Sequence, residues 1–125
     1  MPATYRFDGP VVILEITGVH SVEEPRAAWE RAERDPAYPP NPRVCLDLRG
    51  SESLARRSVA ELRSTADWFL ERGARSGRRL ALVARAGVQY RLMRMAATWL
   101  ELNGIDVHVA TDVEAAVHWL KQRTG

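Results

Sequence analysis

Cysteine occurs once in the 125 residues, as Cys45, which excludes an intrachain disulfide and any cysteine-based metal site. It lies in a strand-like run, where a small buried apolar filler is its simplest role. Lysine is as scarce, with Lys121 standing alone among 18 basic residues. Acidic residues number 16, so the formal charge is only +2. Arg26, Arg31 and Arg34 interleave with Glu30 and Glu33, so no stripe of one sign forms and a nucleic-acid partner is not expected. Apolar runs such as Val11–Leu14 fall far short of the roughly 20 residues that a membrane helix requires. Met1–Gly9 lacks the basic start, apolar core and small-residue cleavage site of a secretory leader, so a cytoplasmic protein is expected. None of His20, His108 and His118 has a second histidine or a cysteine at ligand spacing, and neither metal nor cofactor is expected. The P-loop and G-x-G-x-x-G patterns are missing, which excludes nucleotide binding by those two devices.

What is present reads as alternating strands and helices. Tyr5–Phe7 and Val11–Thr17 flank Asp8-Gly9-Pro10, a turn signal that predicts a β-hairpin. Ser21 and Glu24 form an S-x-x-E capping pattern for a first helix, which Asp35-Pro36 should stop. Val44–Leu48 reads as a buried strand and Arg49–Arg57 as a polar loop. Ser58 and Glu61 repeat the capping pattern, and Val59, Leu62, Ala66 and Phe69 carry a second helix toward Gly73. Leu80–Ala84 is the next strand. Val88, Leu92, Met95, Ala96, Trp99 and Leu102 then trace the inner face of a third helix, ended by Asn103-Gly104. Val107–Ala110 is the last strand, and Thr111 with Glu114 opens a final helix through Val113, Ala116, Val117 and Leu120. The order implies one α/β domain spanning residues 1–125, with a mostly parallel sheet of about four to five strands, four helices and an N-terminal hairpin.

The strand ending in Asp47-Leu48 ahead of a helix, the strand LALVA, the spacing of Tyr90, Arg94 and Met95, and the ending DVEAAVHWL together resemble the SpoIIAA-like group of STAS domains. The ending, carried by Asp112, Ala116, Trp119 and Leu120, is similar to the close of the STAS/SEC14-like branch. The resemblance covers nearly the whole chain, best from Val44 to Leu120. It implies a small bacterial regulatory or binding module that works through surfaces and pockets, without its own catalysis, on a partner protein or a small apolar or anionic ligand. Signalling members carry an Asp-Ser-Ser-Gly motif whose second serine is phosphorylated. Here Ala55, Arg56, Arg57 and Ser58 stand in that place, so Ser58 is a displaced candidate phosphoacceptor. As an N-cap paired with Glu61 it is also explained without phosphorylation.

In parallel α/β sheets, ligands meet the carboxyl ends of strands. That rule gathers Arg49, Arg56, Arg57, Ser58, Arg85 and Tyr90 into one candidate ligand- or partner-binding rim, favourable to anions because helix N-termini converge there. Arg26 and Arg31 fall on an unrelated helix face. Trp68, Met93 and Leu100 lie off the expected core stripes and are candidates for a homodimer interface. No serine, cysteine or lysine is paired by motif with a base, so no catalytic residue is assigned. The alternative is a small hydrolase or transferase using the strand-end rim, for which Ser51, His20 and Asp47 could supply a Ser-His-Asp assembly. No G-x-S-x-G elbow supports it.

Overall fold

A computed structural model describes residues 3–72 and 79–122. β1 (Ala3–Asp8) and β2 (Val11–Gly18) form the expected antiparallel hairpin, with Ala3 opposite Ile16 and Asp8 opposite Val11. After α1 (Glu23–Arg34), β3 (Arg43–Ser51) pairs parallel to β2. α2 (Val59–Arg72), β4 (Arg79–Val83), α3 (Val88–Leu102), β5 (Asp106–Ala110) and α4 (Val113–Lys121) follow. β4 and β5 also add in parallel, giving the order β1-β2-β3-β4-β5. Right-handed crossovers that always step in one direction leave α1, α2 and α3 on the same face. α4, with no strand after it, turns back onto the other.

This layering explains the strand composition. Val12, Leu14, Ile16, Val44, Leu48, Leu80 and Leu82 face the three-helix layer, whereas Val11, Ile13, Cys45, Ala81 and Val83 meet Ala116, Val117 and Leu120 of α4. A strand covered on both faces reads as a near-continuous apolar run, as β2 does. At the edge, β1 alternates buried and exposed instead.

The three capping patterns fare differently. Ser58 Oγ accepts the Glu61 N–H at 3.1 Å and the Glu61 carboxylate accepts the Ser58 N–H at 3.0 Å, a complete capping box. That hydrogen bonding holds the Glu61 carboxyl below its ordinary range, the Ser58 backbone N–H being the largest cause. At α1 only half the box forms. Glu24 accepts the Ser21 N–H, but Val22 takes the N-cap position in helical backbone, so the Ser21 hydroxyl caps nothing. At α4 the cap is Asp112, whose extended backbone lets Oδ1 accept the Ala115 N–H at 2.7 Å, in place of the expected Thr111–Glu114 pair. The stop assigned to Gly73 lies outside the described residues.

Helix α3 is rotated from its expected orientation. Gln89, Met93, Ala97 and Leu100 face the sheet, and Met93 and Leu100 are 4% and 3% exposed. Both are therefore core residues and cannot form the interface assigned to them. Val88, Met95 and Leu102, expected inside, are exposed, as is Val59 of α2. Ala97 is fully buried, which is the physical reason: a methyl at mid-helix lets the backbone approach the strands closely. Trp68 is half-buried and packs edge-on against Trp29, with ring centroids 5.4 Å apart.

The amino ends of β3 and β4 secure α4. Arg79 donates to the carbonyls of Gln122 and Trp119 at 2.7 and 3.2 Å, stacks 4.1 Å over the Trp119 ring and pairs with Asp106 at 3.5 Å. Arg43 donates to the carbonyls of Leu120 and Gln122. Two guanidinium groups thus meet the negative end of the helix dipole and its free carbonyls.

Two outcomes follow for stability. Met93→Ala should lower unfolding free energy by about 2 to 4 kcal/mol, while Met95→Ala should change it by less than about 0.5 kcal/mol. Urea denaturation of the pair reads the orientation of α3 directly, and equal losses would contradict it. Arg79→Ala should cost about 2 to 4 kcal/mol, and Arg79→Lys should restore only a minor part because an ammonium lacks the planar fork.

Candidate functional site

The cover of the sheet is incomplete beneath α2. That helix packs on α3 and touches the strands little, and its small inward residues Thr65 and Ala66 do not reach down to fill the space left beneath it. At one end Trp29 contacts both Trp68 and Phe69, with the Phe69 ring centroid 5.2 Å away, and these rings prop α1 and α2 apart. A cavity of about 120 Å³ results, floored by Leu46, Leu82 and Leu80 and roofed by Leu62 and Ala66. Leu46, on the central strand, is consequently only half-buried.

The mouth of this cavity lies between the first turns of α1 and α2, and its polar groups are His20, Arg26, Arg57, Glu61 and Thr65. Arg57 pairs with Glu61 at 3.6 Å and donates to the His20 carbonyl. Arg26 donates to Thr65 Oγ1 at 3.4 Å, and its cation lies 5.6 Å from the Trp68 ring centroid. Its Nε is buried without a hydrogen-bond partner. A buried donor without an acceptor carries a desolvation cost, which an acceptor group entering the mouth would relieve.

Ser51 organises the rim behind this mouth. The strand expected to end at Leu48 continues to Ser51, and the segment read as a polar loop buries Ser51, Ser53 and Leu54 around a 3₁₀ turn at Leu54–Arg56. Ser51 Oγ lies 2.7 Å from His20 Nε2 and accepts the Leu54 N–H at 3.1 Å. His20 Nδ1 lies 2.9 Å from the Ser21 carbonyl and 3.4 Å from Arg57 Nη2; in the tautomer with the proton on Nδ1, that nitrogen donates to the Ser21 carbonyl and Nε2 accepts from the Ser51 hydroxyl. The Ser51 carbonyl accepts from Gln89 Nε2 at 3.1 Å, and Gln89 Oε1 accepts the Arg85 N–H at 3.0 Å. Three segments of chain are tied directly to Ser51, and a fourth, at Arg85, through Gln89.

The residues gathered by sequence are only partly assembled. Arg57 reaches the mouth. Arg49 does not: it lies in the bulge of β3 between Asp47 and Gly50 and turns back onto Asp47 in a two-pronged ion pair with both contacts at 3.0 Å. That pairing also removes Asp47 from His20, so the Ser51-His20-Asp47 triad does not form. Arg56 and Arg85 are exposed and, among the described residues, make no ion pair. Ser58 is exposed but occupied as a cap. Tyr90 is half-buried against the core. A single anion-attracting rim around Ser58 is thus not built. Cys45 is fully buried, and burial pushes its thiol up to about 12, so it stays protonated.

Arg26 and Gln89 are the residues that sequence reasoning missed. Arg26 stands three positions before Trp29, on the face of α1 that turns to the cavity, and this spacing was the available signal. Gln89 sits in the stripe with Met93, where a polar residue signals a buried hydrogen-bonding role.

A solved structure of an uncharacterised protein of the DUF3478 family from Shewanella loihica PV-4, with a SpoIIAA-like fold, is similar over 94% of this chain and 91% of that one, with a TM-score of 0.61. This chain has a SpoIIAA-like fold. Sequence identity to that protein is 16%, so the likeness speaks to fold. No family model matches the sequence, and the curated proteins contain no match. Among the described residues, no helix is long and apolar enough to cross a membrane, and no cluster of His, Cys, Asp and Glu is placed to hold a metal ion.

Replacing Ser51 by Ala tests the rim. It leaves the Leu54 N–H without its acceptor and His20 without its donor, for an expected loss of about 1 to 3 kcal/mol. Amide exchange should quicken at residues 52–57 while the strand interiors stay protected; uniform exchange across the chain would contradict this local role.

Proposed function

We propose that this chain is a non-catalytic binding module for a small amphipathic molecule, with an apolar body in the cavity under α2 and an anionic or hydrogen-bond-accepting end at Arg26 and Arg57. The observation that carries the reading is the apolar cavity of about 120 Å³ whose mouth holds a buried, unpartnered Arg26 Nε. Apolar cavities of about 150 Å³ stay dry and admit molecules the size of benzene, so a six-carbon ring or short acyl chain is the right scale. The non-catalytic reading is supported by Ser51, a residue 1% exposed whose hydroxyl is already bonded on two sides, leaving no room for attack on a substrate.

Burial of about six carbons at ~0.8 kcal/mol each, less the cost of association, leads to a Kd of roughly 0.1 to 1 mM for benzoate or hexanoate. Trp29 and Trp68 line the cavity and report occupancy through their emission. Ala66→Leu should fill the space, abolish binding and raise stability by about 1 to 2 kcal/mol, given ~24 cal/mol per Å³ of void. Arg26→Met should keep benzene binding but weaken benzoate about tenfold, one charge-assisted hydrogen bond being worth roughly 1.5 kcal/mol. Wild-type protein that binds neither probe at millimolar concentration, or binding indifferent to Ala66→Leu, would refute the proposal.

A further inference from the structure

Two donors at the mouth of the cavity lack an acceptor among the described residues, and they belong to side chains in contact. Arg26 Nε, buried and unbonded, is the first. Thr65 carries the second. Its Oγ1 receives Arg26 Nη2 at 3.4 Å, a contact longer than the usual limit of about 3.2 Å for such a bond. The Thr65 hydroxyl itself donates to no acceptor among the described residues, whereas that of Thr98, also within a helix, donates to the Arg94 carbonyl one turn back at 2.9 Å. Nε and Nη2 share one edge of the planar guanidinium, so their N–H bonds run side by side and match the two oxygens of a carboxylate. The Trp68 ring, 5.6 Å from the cation, backs this group.

The number of charges at the mouth narrows the ligand further. Arg57 already meets Glu61 at 3.6 Å and the His20 carbonyl, and the cap of α2, through the Ser58 backbone N–H first, favours the ionised Glu61. Arg26 makes no ion pair among the described residues, which leaves one positive charge uncompensated. On its outer side Arg26 borders a shallow groove whose other charged groups are Arg63, Asp67 and Glu71, so no excess of positive charge is added there. One negative charge is therefore balanced, and a second would stand unpaired near Glu61. Resting on the amphipathic-ligand reading above, we propose that the ligand is an apolar monocarboxylate whose anion lies side-on against Arg26 Nε and Nη2. Thr65 turns its hydroxyl to donate the third hydrogen bond, and the ring or short chain of the ligand enters the cavity. A neutral amide of the same shape sets its NH₂ against an N–H or O–H donor, and a phosphonate brings the second charge. Thr65 and the fork of Arg26 thus determine specificity together.

Four probes with one apolar body test this: benzene, benzamide, benzoate and phenylphosphonate, titrated by calorimetry and tryptophan emission at about pH 8, where the phosphonate is doubly charged. Benzoate should bind about tenfold more tightly than either benzamide or phenylphosphonate. Thr65→Val, which keeps the shape, should weaken benzoate about fivefold and leave benzene unchanged, and Thr65→Ser should keep the wild-type affinity for benzoate. Arg26→Lys, which keeps the charge without the fork, should also weaken benzoate about fivefold. Benzene bound normally with benzoate no tighter than benzamide would overturn the carboxylate assignment and leave the cavity reading standing. Phenylphosphonate binding more tightly than benzoate would do the same, as would wild-type affinity for benzoate in both Thr65→Val and Arg26→Lys. Failure of benzene and benzoate alike would refute the cavity reading and this inference with it. The probe series on the wild-type chain stands as its own test should a variant fail to fold.

Discussion

Two atoms of Ser51 set the arrangement at the carboxyl edge of the sheet. The hydroxyl joins the loop after β2 to the turn before α2, and the carbonyl joins the end of β3 to α3 through Gln89. Because the residue is buried, each of these groups would be costly to leave unpaired, so the segments they fix move together or not at all. The position of the α2 amino terminus follows from this network, and so does the mouth of the cavity, since His20, Arg57 and Glu61 are placed by the same contacts.

The space under α2 is the energetic consequence. A void of about 120 Å³ costs about 3 kcal/mol at ~24 cal/mol per Å³, a sizeable part of the roughly 5 to 15 kcal/mol by which domains are stable. Longer side chains at Thr65 or Ala66 would remove that cost. The aromatic props at Trp29 and Phe69 instead maintain the gap, and the cationic groups stand at its mouth. A gap so maintained, with an unsatisfied donor at its entrance, is better accounted for by an occupant than by poor packing.

Element order, hairpin and the Ser58–Glu61 cap were legible in the sequence because each rests on neighbours: a turn tripeptide, a period of two, a box of four residues. The orientation of α3 was not. Its outer seam, Val88 to Leu102, is a more regular apolar series than its inner stripe, which contains Gln89 and Ala97, so periodicity alone favoured the wrong side. Only the tertiary contacts reveal that Gln89 is satisfied by Ser51 and that Ala97 permits close approach. The rim was legible in location but not in membership. β3 runs on to Ser51 through a bulge after Asp47, and Arg49 in that bulge is taken up by Asp47; strand ends and bulges are the least determined part of any pattern. The cavity left no mark on local sequence, since it arises from small residues on one helix facing aromatic props on another.

α2 stands between two spaces. Its Leu62 and Ala66 roof the cavity and also line the groove beside α3, so the two spaces share a wall one side chain thick. Helix α2 rests little on the strands, which makes it the element of the three-helix layer most free to shift. An occupant of the cavity that displaced this wall would also reshape the groove beside α3. The strands, buried on both faces, are the rigid part of the domain, and α2 is the helix of its layer least tied to them.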